Sequence, residues 1–302
     1  MSGHRFQLGT IDEVITRDCP FCGLVTSAVF SLYHNFETID EIDGSKLVTL
    51  SWDRSLGMEG FELRKVMISS DTLICFEHGT VPDDIGFLPV TAPEIDPSLL
   101  KSWLSTCRKV HGDQCSPIIK DASPASQQLL WSHPFRFVDV QANCVVDAVT
   151  LPPYPREFFA LSYVWGQVPT AKLTRSNLRA LMRQNGLSSV WEMLPKTITD
   201  AIDLAKSLEI NYLWIDAICI VQDDETDMKD GIRKMDLIYE QAVATIIAAA
   251  GPDANSGLPG VQSNSRRCTQ ATAEVIPGVR MMVRHVLDRL LSNCEYTRRA
   301  WT

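Results

Sequence analysis

No stretch of the sequence approaches the ~20 consecutive apolar residues of a membrane-spanning helix. The first residues, MSGHRFQLGTIDEV, contain no apolar core of the kind a secretory leader carries. Positive charge is in deficit: 28 Lys and Arg stand against 37 Asp and Glu, a formal net charge of −9. Nucleic-acid binding and docking on anionic lipid both call for a basic face, so neither partner is expected. There is no internal repeat and no low-complexity tract. No Gly-rich Walker loop and no G-x-G-x-x-G fingerprint occur, which excludes a Rossmann redox enzyme from expectation. No serine lies in a G-x-S-x-G elbow, so Ser162 has no support as the nucleophile of a hydrolase triad.

What is present describes a globular chain. Hydrophobic residues make up 45% and charged residues 22% of 302 positions, enough for two ordinary domains. Nine cysteines, an odd number, are scattered through the sequence. Without export signals that pattern suits reduced thiols and a cytoplasmic protein, with metal binding open to any clustered pair. The punctuating stretch SPIIKDASPASQQ (116–128) separates an N-terminal Cys-containing extension, 1–130, from a second domain, 131–302; PPYPRE (152–157) is a further break. In the extension, LVTLSWD (47–53) and TLICFEHG (72–79) read as strands and WLSTCRKVHGDQC as a helix, an α+β composition.

The second region has a different rhythm. FRFVDV and CVVDAVTL read as short strands of a hairpin, and FFALSYVWG (158–166) as a buried strand running into a loop. In LPKTITDAIDLAKSLEI the apolar residues Ile198, Ala201, Ile202, Ala205 and Leu208 recur at helical spacing, and Thr197 with Asp200 forms a capping-box pattern. YLWIDAICIV (212–221) is a continuous apolar strand. An amphipathic helix with Met228, Ile232, Met235, Ile238 and Ala242 on one face follows, then a buried strand VATIIAAAG (243–251). Alternating apolar strands and helices predict an α/β fold: a mostly parallel sheet flanked by helices, with strands 158–164, 212–220 and 243–250 adjacent. Such sheets carry their sites beyond the carboxyl ends of the strands. That places Ser162, Trp165, Gly166, Asp216, Gln222 and Asp223 as candidate pocket residues, Trp165 as a stacking plane and Gly166 as a point of close backbone approach.

Each candidate has a plainer reading. Asp216, inside an apolar run, could orient a ribose or a water, or simply accept hydrogen bonds from a neighbouring loop. Trp165 could equally be core. QDDETD (222–227) lacks EF-hand spacing and is read as helix capping and solvated loop rather than a Mg or Ca site. In the extension, Cys19-Pro-Phe-Cys22 is a C-x-x-C knuckle, and Cys107, His111 and Cys115 fall at i, i+4 and i+8. Two thiolates from the knuckle and two ligands one helical turn apart would complete a tetrahedral zinc site. His78, near Cys75, is a spare ligand. Free buried cysteines are the alternative, and no thioredoxin-like context favours a redox C-x-x-C.

ALSYVWG, LPKTITDAIDLAKSLEINYLWIDAICIVQDD and MDLIYEQAVATIIAAAG, in that order and spacing, resemble the fungal heterokaryon-incompatibility (HET) domain over roughly residues 135–302. The resemblance implies a role in fungal non-self recognition and innate immunity, with programmed cell death as the output. HET domains are in turn distantly similar to TIR domains, which implies a TIR- or flavodoxin-like sheet and NAD as a substrate. The third family motif reads approximately R-G-W-T-x-Q-E, and Arg299-Ala300-Trp301-Thr302 matches its first four positions, with Ala for Gly. Trp301 therefore joins the pocket candidates by resemblance. The glutamate that the TIR comparison implies as catalytic would fall beyond Thr302, so the ending is read as a truncation and the chain is expected to cleave little or no NAD. The competing expectation is a signalling module that assembles with itself or with receptor and death-signalling partners.

Overall fold

The computed structural model describes residues 4–32, 43–56, 62–68, 71–76, 90, 92–111, 135–151, 157–266, 270–284, 291 and 294–298. The chain divides into two compact units, 1–93 with 266–292 and 94–265 with 293–302. Along the chain the described strands are β1 (His4–Thr10), β2 (Leu47–Leu56), β3 (Glu62–Ile68), β4 (Asp71–Phe76), β5 (Arg136–Asp139), β6 (Cys144–Asp147), β7 (Phe158–Ser162), β8 (Tyr212–Trp214), β9 (Ala244–Ile247), β10 (Thr272–Ile276) and β11 (Val279–Arg284). No described helix is long and apolar enough to cross a membrane.

The first unit is a six-stranded sheet in the order β1-β2-β3-β4-β11-β10, every pairing antiparallel. The short helix Ile11–Ile15 opens on a capping box: Thr10 Oγ1 accepts the Glu13 N–H at 3.3 Å while Glu13 Oε2 accepts the Thr10 N–H at 2.9 Å. In the helix Pro20–Leu32, Leu24, Val25, Ala28 and Val29 recur at helical spacing and are buried with Ile11, Val14, Val48 and Met281. The strand expected at 47–53 is present as β2, and that expected at 72–79 is present as β4 through Phe76, with 77–79 outside the described residues.

The second unit holds a five-stranded mixed sheet, β6-β5-β8-β7-β9. Its centre is as expected: β7 lies between β8 and β9, and both pairings are parallel. β5 and β6 form the expected hairpin, and β5 pairs antiparallel with β8, which makes the sheet mixed. Helices flank it. Ile198, Ala201, Ile202 and Ala205 of the helix Lys196–Ser207 are fully buried against the core. The helix Pro97–Thr106 also groups with this unit and runs on as a π-helix over Cys107–His111.

Four local expectations are corrected. The strand read over 212–220 ends at Trp214, and Asp216–Cys219 turns into a short helix. The single amphipathic helix is two, Glu225–Arg233 and Met235–Gln241, broken at Lys234, and Ile232 is 59% exposed. The strand read as buried over 243–251 is the half-buried edge strand β9. The Thr197–Asp200 pair does not cap its helix: Pro195 holds that position with no side-chain cap. Since the helix already begins at Lys196, both side chains lie inside it and turn to a neighbouring loop.

Candidate functional site

Three loops leave the carboxyl ends of the parallel strands: 163–175 after β7, 215–224 after β8 and 248–257 after β9. The chain passes from β7 to β8 on one side, then crosses to β9 on the other. In open α/β sheets that reversal opens the crevice where sites form.

Trp165 and Asp216 meet there. The Trp165 indole Nε1–H donates to Asp216 Oδ2 at 2.9 Å, and the Ala217 N–H donates to Asp216 Oδ1 at 2.7 Å. Lys172 Nζ lies 4.7 Å from the centre of the Trp165 ring, within cation–π range. Tyr163 is buried beside them. Burial first, and then the negative charge of Asp216, push its hydroxyl well above the ordinary tyrosine range, so it stays neutral. Asp216 thus sits at the mouth of the sheet and serves as the acceptor that fixes Trp165.

Gln222 ties the loops together. Its Nε2 donates to the carbonyls of Asp216 and Ile220, each at 3.0 Å, and its N–H donates to Leu173 O at 2.8 Å. Asp223 Oδ1 accepts the Arg175 N–H at 2.8 Å. Asp224 pairs with Arg175 at 3.0 Å and accepts the Thr226 and Asp227 N–H groups at the start of the helix Glu225–Arg233. The Arg175 hydrogen bond holds the Asp224 carboxyl below its usual range. The acidic run therefore works in capping and loop tethering. Among the described residues, no group of three or more His, Cys, Asp or Glu is placed to hold a metal ion.

The β9 loop closes over the site through two glycines. Gly166 has φ +65°, and a Cβ there would lie 2.5 Å from Asp253 Cβ, so any larger residue would push the 248–257 loop away. Gly257 has φ +74°, and its N–H donates to Thr197 Oγ1 at 3.1 Å. Asp200, buried, accepts the Leu258 N–H at 2.8 Å and Gln262 Nε2 at 2.9 Å. Ser162, half-buried at the end of β7, accepts the Ala248 N–H on its carbonyl at 2.9 Å. The structure brings Ser162, Trp165, Gly166, Asp216, Gln222 and Asp223 together at one end of the sheet; Trp301 lies outside the described residues.

Two openings lie near this end. An open groove of about 380 Å³ is lined by Pro169–Ala171, Glu192–Pro195 and Asn255. Its volume falls within the ~300–1,000 Å³ of small-molecule sites. Its lining carries one carboxylate and no cation, a poor match for the pyrophosphate of a dinucleotide. The nearest helix N-terminus is occupied as well, since the Thr197 N–H donates to Ala254 O at 2.9 Å. A smaller cleft of about 160 Å³ contains Arg136, whose Nη1 lies 2.9 Å from Asp227 Oδ2, with both side chains nearly buried.

Sequence reasoning missed Tyr163, Lys172 and the Arg136–Asp227 pair. The signal for Arg136 was a charge inside the apolar strand FRFVD. Of the candidate metal ligands, Cys19 and Cys22 stand at the start of the helix Pro20–Leu32, in the first unit, and Cys107 is in the second. Cys115 and the side chain of His111 lie outside the described residues, as do Cys75 and His78 as ligands.

The fold and site define an α/β domain whose strand-end loops are locked around a Trp–Asp hydrogen bond. Residues 158–302 match the family model described as heterokaryon incompatibility protein (HET). The chain is also 29% identical over 158 residues to heterokaryon incompatibility protein 6, OR allele, of Neurospora crassa. That match covers 49% of this chain, which spans about a fifth (21%) of the length of that relative. No solved structure matches the chain.

Proposed function

We propose that this protein acts in fungal heterokaryon incompatibility, the non-self recognition that ends in programmed cell death, as a cytoplasmic signalling module working through association with like domains or receptor partners. The observation that carries the reading is the family match over 158–302, which spans the strand-end site built on Trp165 and Asp216.

Association is favoured over NAD cleavage by the state of the strand-end carboxylates. A general base or cation-stabilising carboxylate has to be available to the reacting atoms. Asp216 holds Trp165 and Ala217, Asp223 holds the Arg175 N–H, Asp224 is paired with Arg175, and Asp253 accepts the Asn255 N–H at 2.9 Å. Each is committed to the frame. The test is induced expression of the chain in Neurospora crassa, with growth scored, beside nicotinamide release from NAD by the purified protein. The expected outcome is growth arrest with no nicotinamide released above the buffer rate. Normal growth at full expression would overturn the incompatibility role, and rapid nicotinamide release would overturn the association mechanism.

A further inference from the structure

A cysteine pair far from the strand-end site in sequence opens a helix, with the sulfur of the first cysteine accepting the N–H of the second at 3.0 Å. Cys19-Pro20-Phe21-Cys22 opens the helix Pro20–Leu32. Pro20 takes the first helical position, where an N–H would have no intrahelical partner in any case. Cys19 stands just before it, and its carbonyl accepts the Gly23 N–H at 3.0 Å. Its Sγ accepts the Cys22 N–H, also at 3.0 Å, and so takes the capping place that Ser or Asp usually fills.

The surroundings complete the pair. The Cys22 thiol is hydrogen-bonded to Cys19 and reached by the Arg17 guanidinium, whose Nη1 is anchored on Leu8 O at 2.8 Å. A helix N-terminus and a C-x-x-C spacing are features of reversible dithiols, while burial, ahead of the Arg17 contact, pushes the Cys22 thiol above its ordinary range, so it waits as a thiol behind Cys19. Cys19 is partly exposed while Cys22 is only 4% exposed, so one sulfur can be attacked from solvent and the other lies behind it. Residues three apart on a helical turn hold their Cβ atoms ~5–6 Å apart, and a disulfide needs ~3.5–4.5 Å. The non-helical backbone of a capping residue can rotate to close that gap.

We propose that Cys19 and Cys22 are a reversible thiol–disulfide site, with Cys19 as the attacking thiol, Cys22 as the resolving thiol and a small disulfide such as oxidised glutathione as the co-reactant. The Cys19 thiolate attacks one sulfur of the small disulfide, whose S–S bond breaks, and one glutathione leaves as its thiolate. The Cys22 thiol gives its proton to that leaving thiolate and attacks Cys19 Sγ, which releases the second glutathione as a thiolate that takes up from solvent the proton Cys19 had lost to it. Two protein thiols are oxidised by two electrons, and one disulfide is reduced to two thiols.

The full chain is reduced, equilibrated in glutathione buffers from fully reduced to fully oxidised, quenched in acid, alkylated and digested with trypsin. The peptide 18–46 contains Cys19 and Cys22 and no other cysteine. Its expected product in oxidising buffer is an unalkylated peptide lighter by two hydrogens, which reverts on return to reducing buffer. In Cys22→Ser the reaction is expected to stop at a Cys19–glutathione adduct. Two findings would overturn the proposal: both cysteines alkylatable at every ratio, or two independent glutathione adducts in the unmutated chain. Thiols that oxidise only after a chelator strips zinc would overturn it as well, and would assign the pair to a metal.

Discussion

At Asp216 one carboxylate receives an indole N–H at 2.9 Å and a backbone N–H at 2.7 Å, and both donors lose their partner if it is removed. An orphaned donor in a partly buried place costs about 1–3 kcal/mol. Asp216→Ala is therefore expected to lower unfolding free energy in urea by about that amount, with Asp216→Asn, which keeps an acceptor oxygen, losing less. Arg136 and Asp227 make a sharper case, because both side chains are nearly buried. Removing one partner leaves an uncompensated charge at a cost of about 3–5 kcal/mol, whereas replacing both by apolar residues is often neutral. Asp227→Ala should be strongly destabilised in the same urea experiment, and Arg136→Met with Asp227→Leu should recover most of the loss. Cys219 is buried and its thiol is pushed up to about 12 from an ordinary 9.0. In the folded state it stays protonated while the unfolded chain ionises, so its contribution is whole below pH 9.0 and is lost as pH rises toward about 12. Urea midpoints measured across that range should fall less steeply in Cys219→Ala. At this scale the sequence was partly legible. Asp216 inside an apolar run announced a paired carboxylate, but its partner Trp165 lies 51 residues away, and Asp227 lies 91 residues from Arg136. Local spacing cannot report such pairs.

Among the elements, the parallel core β8-β7-β9 was legible because its strands are short apolar runs bounded by loop residues. Where they stop was not. Ile215, Ala217, Ile218 and Cys219 are as buried as the strand before them, and a buried helical turn reads like a buried strand when every face is covered. The Thr197–Asp200 pattern misled for a related reason: the same spacing serves to cap a helix or to grip a loop, and Pro195 sets the start early enough for the second use. Asp200→Ala strips the acceptor from the Leu258 N–H and from Gln262. Hydrogen exchange over 253–262 is expected to speed up while the helix Lys196–Ser207 keeps its protection. Equal speeding in both segments, or no change in either, would show that Asp200 does not specifically hold the loop. The hairpin β10–β11 turns at Pro277-Gly278, a local signal, but its joining of the first unit's sheet through β4 is a long-range pairing that local spacing cannot report.

For the whole molecule, the residues that resemble the HET motifs and those that assemble the strand-end site coincide: ALSYVWG supplies Tyr163 and Trp165, and LWIDAICIVQDD supplies Asp216, Gln222 and Asp223. Under the proposed function, the Trp165–Asp216 lock is expected to shape the surface on which growth arrest depends. The most direct measurement is growth of Neurospora crassa under induced expression of the unmutated chain, Trp165→Ala and Asp216→Ala, at matched levels of soluble protein. Arrest is expected from the unmutated chain and restored growth from either substitution, with Ile232→Ala, at an exposed helix position, still causing arrest. Arrest of equal strength in all four strains would contradict it.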